Sequence, residues 1–213
     1  MTKRAYGQYC GLARAVEIVG ERWALLIIRD LLVGPKRFTD LRRGLPRIPS
    51  NILSDRLKEL ENAGVVQRRI LPRPASSVVY ELTESGQGLE DAVLALGRWG
   101  ARCLGDLRPG EIVTVDSMIM AFRTIFRPEA AAGLRANYEL HLGDIVLNLE
   151  VDHGELEVSE GPLPEPDLVI EAGPAIKTLL AGEVTPAAAI AAGSVRLSGD
   201  RQLLNRFVQV FRI

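Results

Sequence analysis

Apolar residues recur at helical spacing along the first third of the chain. Over residues 12–19 they follow the helix period and stop at Gly20, which predicts an amphipathic helix. Residues 23–32 are apolar on most sides, as in a helix that is central and buried. A glycine and a proline end that helix at residues 34–35, and a short third helix is predicted over residues 38–45.

The fourth predicted helix, over residues 50–63, has one apolar and one polar face. Leu53, Leu57 and Leu60 form a stripe that must pack inward. The opposite face carries polar side chains that can reach base edges and phosphates: Ser50, Asn51, Ser54, Asp55 and Lys58. A short helix, a tight turn and a helix of this kind are typical of a helix-turn-helix, whose second helix enters the major groove.

Two strands rich in β-branched residues follow, over residues 65–70 and 78–82. The loop between them contains two prolines, which favours a hairpin tip or wing. Arg68, Arg69 and Arg73 make this wing basic and suit it to contacts with phosphate or the minor groove. After the second strand, Thr83 is expected to cap one helix that ends near residue 103.

The second half of the chain has a different pattern. After a connector at residues 105–115 and one helix, polar and apolar residues alternate along strands between residues 137 and 170. This alternation predicts an antiparallel meander with one solvated face, followed by two short helices, a last strand and an amphipathic helix. The predicted fold class is therefore α+β: an N-terminal winged helix-turn-helix, then an α+β sandwich whose antiparallel sheet is covered by helices.

The two halves of the chain also differ in their charge. Residues 1–105 hold 17 Lys and Arg against 11 Asp and Glu, whereas residues 106–213 hold 9 against 16. A basic half and an acidic half favour two modules with different partners, the basic one facing a polyanion. We therefore expect a DNA-binding domain at 1–105, a linker at 106–114 and a second domain at 115–213.

The composition favours a protein that stays in the cytoplasm. No apolar stretch reaches the roughly 18 residues of a membrane-spanning helix, and the basic N-terminus lacks the apolar segment of a signal peptide. Cys10 and Cys103 are too few for a disulfide framework.

Signatures of an enzyme or a cofactor site are missing from the sequence. His141 and His153 are the only histidines. One is predicted on the polar face of a strand and the other in a turn, which argues against a catalytic triad. Glycine-rich phosphate loops, zinc-ligand spacings and paired-carboxylate motifs are also missing. The chain is therefore expected to be neither an enzyme nor dependent on a metal or cofactor.

Several motifs in the first half fall in the order found in a known family. They are Trp23 to Leu32, then Gly34-Pro35-Lys36-Arg37-Phe38, Leu53 to Leu60 with Gly64, and Tyr80-Glu81-Leu82-Thr83 with Gly86. Over about residues 8–103 the chain resembles the HxlR-type winged-helix transcriptional regulators of bacteria. The resemblance implies a homodimer, formed by the first and last helices of the domain, on a palindromic double-stranded operator.

The same resemblance implies roles for further residues of the first half. Lys36 and Arg37 become candidate DNA contacts, although a solvated surface is an equal alternative for Arg37. Cys10 lies where redox-sensing members of the family carry a cysteine. An exposed thiol of lowered pKa would be required for sensing, and we favour an inert cysteine.

Short motifs of the second half resemble the sterol carrier protein-like lipid-binding fold over about residues 112–213. They are the meander with Asp152-His153-Gly154, then Pro166-Asp167-Leu168, Ala181-Gly182 and Gly199-Asp200. The resemblance implies an apolar tunnel between sheet and helices. Its candidate ligand-binding residues are Phe122, Phe126, Leu179, Leu180, Ala188, Phe207 and Phe211. A filled core is the alternative for the same side chains.

The leading hypothesis is a sequence-specific transcriptional regulator that responds to an apolar small molecule bound by its second domain. One alternative is a lipid carrier whose winged helix mediates only protein association, which the polar and basic face of residues 50–63 disfavours. Another is an unrecognised enzyme in the second half, which the missing chemistry disfavours.

Overall fold

The computed structural model describes residues 5–72, 76–105 and 107–213. The chain divides into two compact units, one up to Val93 and one covering Leu94–Ile213. Helices and strands occur in both units, in agreement with the predicted α+β class.

The first unit is a set of helices followed by a two-stranded hairpin. Its elements are α1 (Gly11–Val19), α2 (Ala24–Val33), α3 (Phe38–Gly44), α4 (Ser50–Asn62), β1 (Val66–Ile70), β2 (Val78–Leu82) and α5 (Glu84–Gln87). The next helix, α6 (Glu90–Ala101), begins in this unit and ends in the second. This order confirms the predicted winged helix-turn-helix.

The core of the first unit is built from α2, α3 and α4. Ile27, Ile28 and Leu41 are fully buried, and the predicted stripe of Leu53, Leu57 and Leu60 is buried to within 1%. Removing these large apolar side chains from water is the main favourable contribution to folding of this unit. The stripe thereby fixes which face of α4 turns outward.

Two helix boundaries differ from the prediction. Trp23 lies outside α2 because its φ is 81°, a left-handed conformation that an α-helix does not accept. The helix expected from Thr83 to near residue 103 is two helices, with Gly88 at the end of α5. Thr83 does cap α5, since its hydroxyl accepts a hydrogen bond from the Gly86 amide at 3.1 Å.

The second unit is a five-stranded sheet with helices. After α7 (Val115–Ile125) come β3 (Arg135–Leu142), β4 (Ile145–Asp152), β5 (Glu155–Glu160), β6 (Leu168–Glu171), α8 (Ala175–Leu180), α9 (Pro186–Ala191), β7 (Arg196–Gly199) and α10 (Leu203–Val210). The strand order is β5-β4-β3-β6-β7. Among the contacts that join helices to this sheet, α7 packs against β4 and β5.

The prediction of a purely antiparallel sheet was wrong at one strand. β3, β4 and β5 form the expected antiparallel meander, but β6 pairs with β3 in parallel, with Tyr138 opposite Leu168. The connection at residues 161–167 carries the chain from β5, at one edge of the meander, to the free side of β3, so β6 lies beside β3 and not beside β5.

The polar face of the sheet is also more covered than predicted. Glu139 and Asn148 are each only 8% exposed. Burial of these polar groups is tolerated because each is hydrogen-bonded. Glu139 accepts from the amide of Leu163 at 2.8 Å, and Asn148 Oδ1 accepts from the hydroxyl of Ser159 at 2.7 Å. Within the described part of the chain, no helix is long and apolar enough to cross a membrane.

Candidate nucleic-acid interface and ligand site

The turn between α3 and α4 is held by both apolar and polar contacts. Leu45 and Ile48 are buried, and the Ile48 amide donates to the Leu45 carbonyl at 3.0 Å. Pro49 is the N-cap of α4 and supplies no side-chain cap. The Arg42 guanidinium instead links the two helices, donating to the Ser50 hydroxyl at 3.3 Å.

The outward face of α4 carries the predicted polar side chains. Asn51, Asp55 and Lys58 are exposed and make no hydrogen bond or ion pair with other described residues. Ser50 and Ser54 are exposed as well, but the Ser54 hydroxyl donates to the Ser50 carbonyl at 3.0 Å. That hydroxyl retains only its acceptor capacity for another group.

The arginines of the wing are paired with acidic residues. Arg68 on β1 donates to Glu61 of α4 at 2.9 Å, and Arg69 donates to Glu81 of β2 at 2.7 Å. The hydrogen bond and charge of Glu61 raise the pKa of Arg68 above its usual value. Both arginines are exposed. Arg73, the third predicted wing contact, lies outside the described residues.

The segment before α3 is part of the wing, which the sequence pattern did not indicate. The backbones of Lys36 and Tyr80 exchange two hydrogen bonds, at 2.8 and 2.9 Å. Lys36 is therefore joined to β2 and is half-buried. Arg37, the N-cap of α3, is exposed, and its amide donates to Asp40 at 3.1 Å. Because only Lys36 of this segment pairs with Tyr80, the segment is too short to be predicted as a strand from the sequence.

A buried carboxylate on α2, that of Asp30, pairs with the neighbouring Arg29 and lies against the end of α3, and sequence reasoning gave it no role. Asp30 is 1% exposed and accepts from Arg29 Nε at 2.8 Å. A Cβ atom on Gly44, at the end of α3, would lie 2.9 Å from the Asp30 carboxylate. The absence of a side chain at Gly44 therefore lets α3 approach this carboxylate closely.

Cys10 stands before α1, as its position in the sequence suggested. It is exposed and is the N-cap residue, but its side chain makes no capping hydrogen bond. Arg14, one helical turn away, directs its guanidinium to Glu17 at 2.6 Å. This cation near Cys10 is thus engaged with a carboxylate.

The helices predicted to form a dimer contact carry exposed apolar side chains. On α1, Leu12 is 73% exposed, and on α6, Trp99 is 68% exposed. None of the twelve residues of α6, all of them described, is buried. Leu89 and Val93 are half-buried and Val16 is exposed.

Most of the predicted ligand-binding residues lie together in an aromatic cluster, defined as Phe122, Phe126, Tyr138, Phe207 and Phe211. The Phe207 and Phe211 ring centroids are 4.9 Å apart, and Phe122 meets Phe211 edge to face at 5.5 Å. Phe122, Phe207 and Phe211 are at most 1% exposed. These rings fill the space they share, so a ligand entering there must replace ring–ring contacts.

The remaining predicted ligand residues divide into two groups. Leu179 and Leu180 on α8 are buried. Ala188 is exposed, and the buried alanine of α9 is Ala189. The structure therefore does not bring Ala188 into the interior with the phenylalanines.

Tyr138 is a member of the aromatic cluster that was not among the predicted ligand-binding residues. Its side chain is fully buried, with its ring centroid 5.2 Å from that of Phe207. Burial raises the pKa of its phenol to about 12, because the phenolate would lose its hydration. The alternation along β3 located the residue, but no pattern signalled the surroundings of its hydroxyl.

A polar cleft of about 380 Å³ lies near one end of β3, β6 and β7. Its lining includes His141, Glu171 and Arg196, together with backbone at three glycines. Arg196 donates two hydrogen bonds to Glu171, and His141 Nε2 lies 2.6 Å from Glu139. Arg196 and Glu171 are thus paired with each other, and His141 contacts Glu139 outside the cleft lining.

Comparison with known families finds one matching family for each half of the chain. The HxlR-like helix-turn-helix family matches residues 18–107, and the SCP-2 sterol transfer family matches residues 123–212. The chain spans 80% of a curated HTH-type transcriptional regulator and is 38% identical to it over 86 residues. The chain belongs to the HxlR-like helix-turn-helix family, and its N-terminal half is that of a DNA-binding transcriptional regulator.

Individual relatives match less than half of this chain. The HTH-type transcriptional regulator YodB of Bacillus subtilis (strain 168) is 40% identical over 85 residues, covering 40% of this chain and 76% of YodB. YvaP of the same organism, an uncharacterised HTH-type transcriptional regulator, is 38% identical over 40% of this chain and 80% of its own length. Among solved structures, the oxidised redox regulator HypR is 33% identical, covering 46% of this chain and all of HypR with a TM-score of 0.42.

Proposed function

We propose that this chain is a one-component regulator in which an apolar small molecule, bound by the second unit, changes the affinity of the first unit for an operator. The observation that carries the proposal is the presence of an HxlR-like half and an SCP-2-like half in one chain. A ligand acts in this way only if it binds one conformation of the protein more tightly than another.

The polar face of α4 is the proposed reader of DNA sequence. Its stripe of buried leucines turns Asn51 and Lys58 outward, where a helix lying in the major groove would meet base edges and phosphates. Asn51 is suited to a bidentate contact with adenine, while Lys58 is suited to a phosphate. Ser50, Ser54 and Asp55 complete this surface.

The wing and the segment before α3 are the proposed phosphate contacts. Lys36, Arg37, Arg68, Arg69 and Arg73 are the residues in question. Because Arg68 and Arg69 are each paired with a carboxylate, DNA phosphates must compete with Glu61 and Glu81 for them. These arginines should therefore contribute less to affinity than unpaired cations would.

A twofold dimer on a palindromic operator is part of the same proposal. Exposed Leu12 and Trp99, and an α6 that buries none of its residues, supply apolar surface for a partner. A symmetric dimer places two copies of α4 so that each reads one half-site.

The aromatic cluster is the proposed location of the ligand, together with Leu179 and Leu180. It joins the sheet to α7 and α10, and its members supply an apolar interior of the kind that binds small molecules. Since the rings fill this interior, binding requires that they move apart. The outward displacement of α7 or α10 is the conformational change to which DNA affinity would respond.

The experiment combines one selected operator with a ligand panel. DNA sites are first selected from random sequence by the full chain, and their dissociation constants are then measured under reducing conditions, so that the chemistry of Cys10 does not contribute. Fatty acids, fatty alcohols, sterols and polyketides are screened by thermal shift, because a ligand of the folded state raises its melting temperature. Selected DNA with no stabilising ligand would leave a regulator without the proposed sensor. Stabilising ligands without selected DNA would favour a carrier protein.

A further inference from the structure

The ring of Tyr138 lies in the apolar interior of the second unit. Tyr138 is on β3, at the centre of the sheet, with β4 on one side and β6 on the other. Its ring contacts that of Phe207 on α10, which in turn contacts Phe122 on α7. All three side chains are at most 1% exposed. The phenol thus has one apolar body and one polar atom inside a packed aromatic layer.

The hydroxyl of Tyr138 has no hydrogen-bond partner among the described residues. Leaving a buried hydroxyl unpaired destabilises a folded protein, and most buried polar side-chain atoms in proteins are paired. The phenol is protonated at neutral pH, and burial raises its pKa further from neutrality, to about 12. It therefore offers both a donor and an acceptor to a bound molecule.

Three charged side chains act electrostatically on the phenol of Tyr138 in the aromatic cluster. They are Arg206 on α10, Asp167 before β6 and Asp200 after β7. Each is occupied by a main-chain group: Arg206 donates to the Ala130 carbonyl, Asp167 accepts from the Asn137 amide, and Asp200 accepts from the Gln202 amide. Backbone hydrogen bonds thus already engage these three side chains, and none of them pairs with the phenol.

We propose that the Tyr138 hydroxyl is the hydrogen-bonding anchor of the ligand site, and that the ligand is an apolar molecule with one uncharged oxygen, such as a long-chain alcohol or ketone. This inference rests on the proposed ligand site in the aromatic cluster. An apolar body replaces contacts between the phenylalanine rings, and the single oxygen pairs with the phenol. An ionised carboxylate is disfavoured there because its charge would be buried among aromatic rings.

The test is the full-length Tyr138→Phe variant, with Tyr9→Phe as the matched control because Tyr9 is fully exposed. The probes are 1-octanol and n-octane, whose partitioning into the protein is measured from the headspace. Comparing the variant with the wild type for each probe cancels the different hydration of the two molecules. Tyr138→Phe should weaken 1-octanol binding about three- to tenfold, the range of one net hydrogen bond, and leave n-octane binding unchanged. Tyr9→Phe should alter neither.

A second readout separates an anchor from a structural hydroxyl. Without ligand, Tyr138→Phe should raise the melting temperature, since it removes an unpaired buried polar atom. A lowered melting temperature with unchanged 1-octanol binding would mean that the hydroxyl is paired with a buried water, and would overturn the inference. Equal changes for both probes would overturn it as well, while leaving the proposed sensor intact. Failure of both probes to bind the wild type would reject the anchor, whereas the proposed sensor is rejected only if the full ligand panel gives no stabilisation.

Discussion

Arg68 on β1 and Glu61 on α4 join the wing to the proposed reading helix. The Arg68 Nε donates to the Glu61 carboxylate at 2.9 Å, and this pairing raises the pKa of the guanidinium. Arg68 is the more exposed of the two side chains. The Glu61 carboxylate thus neutralises the charge of Arg68 on the surface that we expect to contact DNA.

Replacing Glu61 by Gln should tighten binding to every DNA sequence, because it removes a negative charge and leaves Arg68 free for a phosphate. We expect a two- to fivefold gain, on the order of one weak ion pair, and a steeper dependence of affinity on salt. Fluorescence anisotropy on operator and random duplexes measures both effects.

Glu59→Gln is the matched control, since it removes the same charge from the same helix. Its partner Arg56 also lies 3.8 Å from Glu21 and so remains compensated. Equal gains in affinity for Glu61→Gln and Glu59→Gln would show that the effect comes from net charge alone. Arg68 would then not belong to the proposed interface.

Replacing Asn51 by Ala should relax sequence preference more than it weakens general affinity. Asn51 is exposed at the first turn of α4, where a side chain reaches base edges. Loss of one base contact should reduce discrimination by about 1–3 kcal/mol at a single operator position. Asn62→Ala, at the other end of the helix, is the control. Selected sites that are the same for wild type and Asn51→Ala would be incompatible with α4 as the reader.

Local periodicity was enough to predict most of the first unit. The spacing of Leu53, Leu57 and Leu60 fixed both the helix and its outward face, since a helix with such a stripe has one way to bury it. The break between α5 and α6 was missed because α5 is a single turn without large apolar side chains, so no hydrophobic period marks where it ends.

Long-range pairing in the second unit could not be predicted in the same way. The apolar run at residues 168–170 indicates a strand but carries no information about its direction relative to β3. Glu139 is buried where it contacts the loop containing Leu163. The surroundings of the Tyr138 hydroxyl include Asp167, Asp200 and Arg206, which are distant from it in sequence. Such features arise from tertiary contacts and leave no local pattern.

Replacing Gly86 by Ala should destabilise the first unit. A Cβ atom at this buried position would lie 2.2 Å from the carbonyl oxygen of Val65, so the backbone must shift. A cost of about 1–3 kcal/mol is expected for such overpacking. Gly88→Ala is the control, because its Cβ would meet its nearest neighbour at 3.4 Å. Thermal or urea unfolding measures the difference, and equal stability of the two variants would contradict the packing described for α5.

Replacing Trp99 by Glu should convert a dimer into a monomer. Trp99 is one of the exposed apolar side chains of α6, and a buried charge without a partner would oppose association. Asp91→Ala alters an exposed polar side chain about two turns away on the same helix and should leave the dimer intact. Sedimentation at micromolar concentration distinguishes the two states. A wild-type protein that is monomeric both free and on its operator would reject the twofold assembly.

The central claim is that occupancy of the second unit changes how tightly the first unit holds DNA. The most direct measurement is the operator dissociation constant of the full chain, with and without a saturating apolar ligand whose binding has been established by thermal shift. We expect a change of about 5- to 150-fold, the usual range of coupling between two sites, and the reciprocal change in ligand affinity when operator is added. A ligand that stabilises the protein but leaves the operator dissociation constant unchanged would contradict this account.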